Sequence, residues 1–243
     1  MDRRHGRRID HCLADGQWLM AMVRVAILCI ALTLVACGTP RYVPDPNTHI
    51  VRRGETLYSI AWRYGEDAAD VARWNGLGDG SLIHPGQTIY LQPRSGAASR
   101  QAPTAGRPPP RSLPKVPTQP PPPWTWPTNG RINVDFGGKP GTGTGVLING
   151  KAGQAINAAA SGRVVYAGSG LIGYGQLIIV KHNDTYLSAY GYNASLLVKE
   201  GETIKKGQRI ATMGEGPERK ARLHFEIRRN GKPVSPRQYL PAR

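Results

Sequence analysis

Cysteine is scarce in this chain: the 243 residues contain three, Cys12, Cys29 and Cys37. A disulfide framework is therefore excluded as the basis of the fold, and its domains must be stabilised by their own apolar cores. Acidic residues are also few, 16 Asp plus Glu against 32 Lys plus Arg, for a formal net charge of +16. Such basicity is compatible with nucleic-acid binding, but no recognition helix, zinc finger or aromatic-studded RNA-binding sheet accompanies it. No apolar run is long enough for a bilayer span of about 20 residues. The most apolar stretch, 23–36, is interrupted by Arg24 and Thr33. Histidine is sparse and scattered, at His5, His11, His49, His84, His182 and His224, without the close spacing of a metal site.

What is present begins with an export signal. Residues 23–36 have the length of a signal-peptide h-region, and they end in Leu34-Val35-Ala36-Cys37, a bacterial lipobox. Cys37 is expected to be acylated after removal of residues 1–36, leaving 37–47 as a lipidated tether. Residues 1–19 form an overlong n-region, for which Met20 and Met22 are alternative starts. Gly38 after the cysteine points to the outer membrane, facing the periplasm. The sequence beyond Cys37 keeps 27 Lys plus Arg against 13 Asp plus Glu. Outside the cytoplasm, nucleic acid is not an expected partner; acidic stem peptides and anionic lipid headgroups are the available polyanions.

A small α+β module is predicted next. The run His49-Ile50-Val51-Arg52 suits a strand, and Gly54-Glu55 turns into a helix capped by Thr56. Leu57, Ile60, Ala61 and Tyr64 have helical spacing, with Gly65 as a stop. Asp67 can cap a second helix through Val71, Ala72 and Trp74, and Pro85-Gly86-Gln87 turns into a strand at 88–91. Residues 48–91 resemble a LysM domain, a βααβ module that binds N-acetylglucosamine-containing glycans. The resemblance places its glycan groove at Gly54, Thr56, Leu57, Leu82 and Ile83; the alternative is that Leu57 and Ile83 are core residues.

Residues 92–125 are rich in Pro, Arg, Ser and Gly and read as a disordered spacer favouring polyproline II. From 126 to 243 the pattern is mainly β. Short apolar runs at 163–167, 177–181, 186–190, 209–213 and 224–228 alternate with turn residues, predicting an antiparallel sheet or barrel. Asn230-Gly231 is the strongest hairpin signal, and Asn183-Asp184 after His182 reads as another. Residues 198–208 resemble the turn pattern of biotinyl and lipoyl carrier domains, but no lysine occupies a hairpin tip, so no carrier role is expected.

The same 126–243 region resembles the LytM (lysostaphin-type) zinc metallopeptidases, which carry His-x-Gly-x-Asp, Tyr-x-His and His-x-His-Phe-Glu segments. Here the first is Gly143-Thr144-Gly145-Val146-Leu147, the second Tyr190-Gly191-Tyr192 and the third Arg222-Leu223-His224-Phe225-Glu226. Gly143 and Leu147 stand at metal-ligand positions and have no donor atoms. Tyr192 and Arg222 stand where histidines are expected, so His224 alone survives. Catalytic zinc needs about three protein ligands, so no zinc, no other cofactor and no catalytic residue are expected.

The full order of lipobox, LysM module, proline-rich linker and degenerate LytM domain resembles the NlpD-type envelope lipoproteins. That resemblance implies a non-catalytic, monomeric protein whose emptied groove, at Gly143, Leu147, Tyr192, Arg222 and His224, binds and activates an N-acetylmuramoyl-L-alanine amidase. Its further partner would be peptidoglycan, and its place the division septum, where the amidase splits peptidoglycan for daughter-cell separation. Two alternatives stay open: an envelope tether without activator role, and an active endopeptidase with unconventional ligands.

Overall fold

The computed structural model describes residues 46–78, 82–93, 118–140 and 142–242. Cys37, the export signal and most of the spacer lie outside the described residues. The described residues fall in one compact unit.

The N-terminal module is built as its punctuation predicts. Strand β1 (Thr48–Ile50) is followed by helices α1 (Leu57–Tyr64) and α2 (Ala68–Trp74) and by strand β2 (Thr88–Tyr90). The two strands pair antiparallel, Thr48 opposite Tyr90. The Thr56 hydroxyl accepts from the Ser59 amide and caps α1; Gly65, at φ 69°, ends it in the left-handed conformation that a Cβ would disfavour. The Asp67 carboxylate accepts from the Ala69 and Asp70 amides and caps α2. Val51, Leu57, Ile60, Val71, Ala72, Ile89 and Leu91 form the module's core.

The C-terminal domain contains a 10-stranded antiparallel sheet. Its strands are β3 (Ile132–Val134), β4 (Val146–Asn149), β5 (Ala155–Asn157), β6 (Gly162–Gly168), β7 (Gln176–Lys181), β8 (Tyr186–Leu196), β9 (Thr203–Ile204), β10 (Arg209–Met213), β11 (Arg222–Arg229) and β12 (Lys232–Val234). The main path runs β3-β4-β11-β8-β7-β6-β9. The long β8 is shared: residues 186–191 pair with β11, while Asn193, Ser195 and Leu196 pair with β10, which in turn pairs with β5. Folding β5 and β10 over the main sheet encloses a core of Val146, Ile148, Ile156, Ile178, Val180, Tyr190, Ile210, Phe225 and Ile227. Side chains alternate across a strand, so Leu223, Phe225 and Ile227 of β11 enter that core while His224, Glu226 and Arg228 lie on the opposite face. Asn230 and Gly231, both at positive φ, make the β11–β12 hairpin at the expected place.

The spacer expectation is corrected at its C-terminal end. Trp124 is buried in the sheet-domain core, and the Thr125 amide donates to the Ala159 carbonyl. The Gln119 amide donates to the Thr185 hydroxyl, and the Asn183 side-chain amide donates to the Pro120 carbonyl. Proline has no amide proton to satisfy, so an extended Pro-rich strip can lie on the turn after β7 while Trp124 supplies the apolar anchor. Trp124→Ala should lower stability by about 3 kcal/mol, read as a shifted urea midpoint; an unchanged midpoint would return this residue to the spacer.

Candidate functional site

Strand pairing brings Leu147, Tyr192, Arg222 and His224, four of the five expected groove positions, together. His224 on β11 lies between Leu147 of β4 and Gly191 of β8, and Arg222 pairs with Asn149. Tyr192 follows on β8, its ring edge-on to His224 at 5.7 Å between centroids. The Thr142–Thr144 loop supplies Gly143 and puts the Thr142 hydroxyl 3.3 Å from His224 Nε2. Tyr192 has φ 62°, a costly conformation for a bulky residue, and its ring fills the space that a side chain at Gly216 would need. It also packs on Val134 and Leu147.

An open cavity of about 680 Å³ is lined by Thr142, Gly173, Gly175, Tyr192, Glu215, Gly216 and Pro217. Of the five expected groove positions Tyr192 is the one that lines this cavity, although it is itself only 9 % exposed. Leu147, Arg222 and His224 are buried more deeply, Arg222 only 2 % exposed. Arg222 Nη2 donates to Glu218 at 3.2 Å, while its Nε and Nη1 have no partner among the described residues.

Beneath the groove lies a polar row that motif spacing alone did not reveal. Glu226 is fully buried. Its carboxylate accepts from His224 Nε2 at 2.8 Å, from Arg228 Nε at 3.1 Å and from the Thr144 hydroxyl. The Tyr174 ring meets His224 edge-on at 5.4 Å. The one signal in the sequence was the period of two in His224-Phe225-Glu226-Ile227-Arg228, which puts three ionisable groups on one face of a strand. Burial would raise the Glu226 pKa, but the His224 hydrogen bond, the charges on His224 and Arg228 and the Thr144 hydroxyl together hold it below the usual carboxylate range.

His182 belongs to structure instead. Its Nδ1–H donates to the Ser161 carbonyl and its Nε2 lies 2.7 Å from the Ser188 hydroxyl. Burial pushes its pKa down to about 4.

Donor chemistry does not fit a zinc site here. Gly143 and Leu147 carry no ligand atom, Arg222 is a permanent cation, and the Nε2 of His224 is engaged by Glu226. Among the described residues no group of three or more His, Cys, Asp or Glu could hold a metal ion.

The positions expected to hold glycan are less uniform. Leu57 is in the module core and Ile83 packs against it, as the alternative anticipated. Gly54 and Leu82 are exposed. The hydroxyl of Thr56, besides capping α1, donates to the Val165 carbonyl of the sheet domain at 3.2 Å.

Comparison with known proteins agrees with this architecture. Residues 49–92 match the LysM domain and residues 141–236 match peptidase family M23. Over 232 residues the chain is 43 % identical to the lipoprotein NlpD/LppB homolog of Pseudomonas aeruginosa, covering 80 % of this chain and 77 % of that one. The chain belongs to the NlpD family of lipoproteins. The murein hydrolase activator NlpD of Escherichia coli is 36 % identical over 259 residues, 81 % of this chain and 68 % of that protein. The lipoprotein YgeR of Escherichia coli is 35 % identical over 231 residues, 89 % and 92 % of the two chains. The NlpD-family pairing of a LysM module with an M23-type sheet domain is thus the frame in which the groove sits.

The buried carboxylate of Glu226 has a pH signature. Its folded pKa is lowered from 4.5, so its stabilisation is present above about 4.5 and is lost as pH falls through the folded value. Glu226→Gln should lower stability at pH 7 by about 3–5 kcal/mol, because Arg228 is left buried without its counter-charge. Urea unfolding from pH 7 to pH 3 should also show a shallower acid loss in the variant than in the wild type; parallel curves would mean that Glu226 titrates alike in both states.

Proposed function

We propose that this protein is a non-catalytic activator of an N-acetylmuramoyl-L-alanine amidase, held to the outer membrane by a lipid on Cys37 and to peptidoglycan by its LysM module. The observation that carries the reading is the groove itself, where the Tyr192 ring lines an open cavity and the buried Arg222 has two donor atoms without partners among the described residues. The activator names carried by NlpD relatives support it. Tyr and Arg are residue types enriched at interface hot spots, and Arg222 has two buried donor atoms without acceptors. A carboxylate on the amidase, entering beside Tyr192, would complete them. Gly143, Leu147 and His224 shape and support the groove floor.

On this reading the protein acts as a monomer at the division septum, contacts glycan around Gly54, Thr56 and Leu82, with Leu57 and Ile83 shaping that groove from the module core, and takes no zinc. Elemental analysis of the purified protein should find well under one zinc per chain, and the protein alone should not cleave peptidoglycan. Stoichiometric zinc whose removal abolishes a hydrolytic activity would make it an enzyme.

The activation test is amidase-dependent release of dye from labelled sacculi. Arg222→Ala should reduce activation by the cost of an unpaired buried carboxylate on the partner, about 2–5 kcal/mol, and Arg222→Glu should reduce it further through repulsion. Tyr192→Ala should also be impaired. Folding is checked by circular dichroism and sacculus binding by sedimentation. Wild-type activation by folded Arg222→Glu and Tyr192→Ala variants would place the amidase surface elsewhere; absence of activation by the wild type would leave a peptidoglycan tether.

A further inference from the structure

Helix α1 is buried on two sides. Leu57, Ile60 and Ala61 enter the LysM core, whereas Trp62 and Tyr58 join Val165, Tyr166, Leu171, Leu177, Ile179 and Ala189 of the sheet domain. Trp62 is 3 % exposed. The Arg228 guanidinium lies 3.5 Å from its ring centroid, and Arg228 Nη1 donates to the Trp62 carbonyl at 2.8 Å. At the rim, Arg63 Nη2 donates to the Gly170 carbonyl at 3.1 Å, and Lys232 Nζ donates to the Gly65 carbonyl and faces Glu66 at 3.4 Å. The LysM module therefore covers the sheet face that also carries the groove, since His224 is four residues, about 13 Å, from Arg228 along β11.

Thr56 is where this docking meets the glycan contact. A hydroxyl has one proton to donate, and in the docked arrangement that proton goes to the Val165 carbonyl while the oxygen accepts from the Ser59 amide. A sugar that takes the Thr56 proton must take it from the sheet domain.

We propose that the LysM module is a latch: docking on the sheet face and glycan binding at Thr56 exclude one another. Engagement of a glycan strand lifts the module away and uncovers Arg228 and Glu226 beside the groove, which ties sacculus contact to the state of the partner surface. The latch rests on the reading of Thr56 as a glycan contact. Because only the undocked module binds glycan, whatever weakens docking must strengthen glycan binding, up to the affinity of the free module.

The Lys232–Glu66 ion pair reports docking directly, because carbodiimide joins an amine to an adjacent carboxylate without a spacer. In the purified protein, peptide mass mapping should find the Lys232–Glu66 cross-link, and a saturating soluble N-acetylglucosamine hexamer should lower its yield several-fold. Ile179→Asp, which spoils the covered face and leaves the LysM module unaltered, should bind the hexamer about 10-fold more tightly, within the usual range of coupling factors. Since a buried Asp can unfold the sheet domain, Lys232→Glu, which opposes Glu66 at the exposed rim, is measured beside it and should also tighten binding. Absence of the cross-link in the protein alone, or hexamer binding with unchanged cross-link yield and wild-type affinity in both variants, overturns the latch. If the hexamer binds neither the wild type nor the variants, the glycan-contact reading itself falls and the latch falls with it.

Discussion

A carboxylate cut off from water must be compensated where it stands, and Glu226 is the residue around which this molecule is compensated. Arg228 and His224 flank it on its own strand and Thr144 reaches it from the loop before β4. Each of those neighbours has a second obligation. Arg228 stacks on Trp62 of the LysM module, His224 forms the floor under Tyr192, and Thr144 lies 3.4 Å from the Tyr174 hydroxyl. Groove, sheet and N-terminal module thus share one polar row, so a change at any of the three alters the environment of a single buried charge.

The same row helps fill the groove of the M23-type sheet domain. A metal site is a cluster of donors held by a sheet. Gly143 and Leu147 offer no donor atom, and the sheet fills and satisfies the space with other groups. Leu147 does so by packing with Val134 and Tyr192, and His224 by giving its Nε2 proton to Glu226. Arg222 is less completely satisfied, with one partner at Glu218 and two idle nitrogens. Unpaired buried donors cost free energy.

Proline-rich composition did not by itself decide where order begins. Residues 118–125 share the spacer's composition, yet Trp124 enters the core and the preceding prolines lie along the turn after β7. One buried indole outweighs several residues of weak intrinsic preference, because its burial removes a large apolar area from water.

Elements with local signals were legible in the sequence. Caps at Thr56 and Asp67, the stop at Gly65, the Asn230-Gly231 hairpin and the strands at 177–181 and 209–213 depend on neighbours within a few positions. Residue chemistry also marked that Gly143 and Leu147 carry no donor atom. The short strands β3, β4 and β5 were not singled out in the sequence, having only three or four residues each. Nor was the second buried face of α1: Trp62 fits an amphipathic helix of an isolated module equally well as a surface residue. Tertiary structure alone decided that Arg222 is buried, that Glu226 ties β11 to the loop before β4 and that Trp62 meets Arg228, because these contacts span up to 166 positions and depend on which sheet face each strand presents.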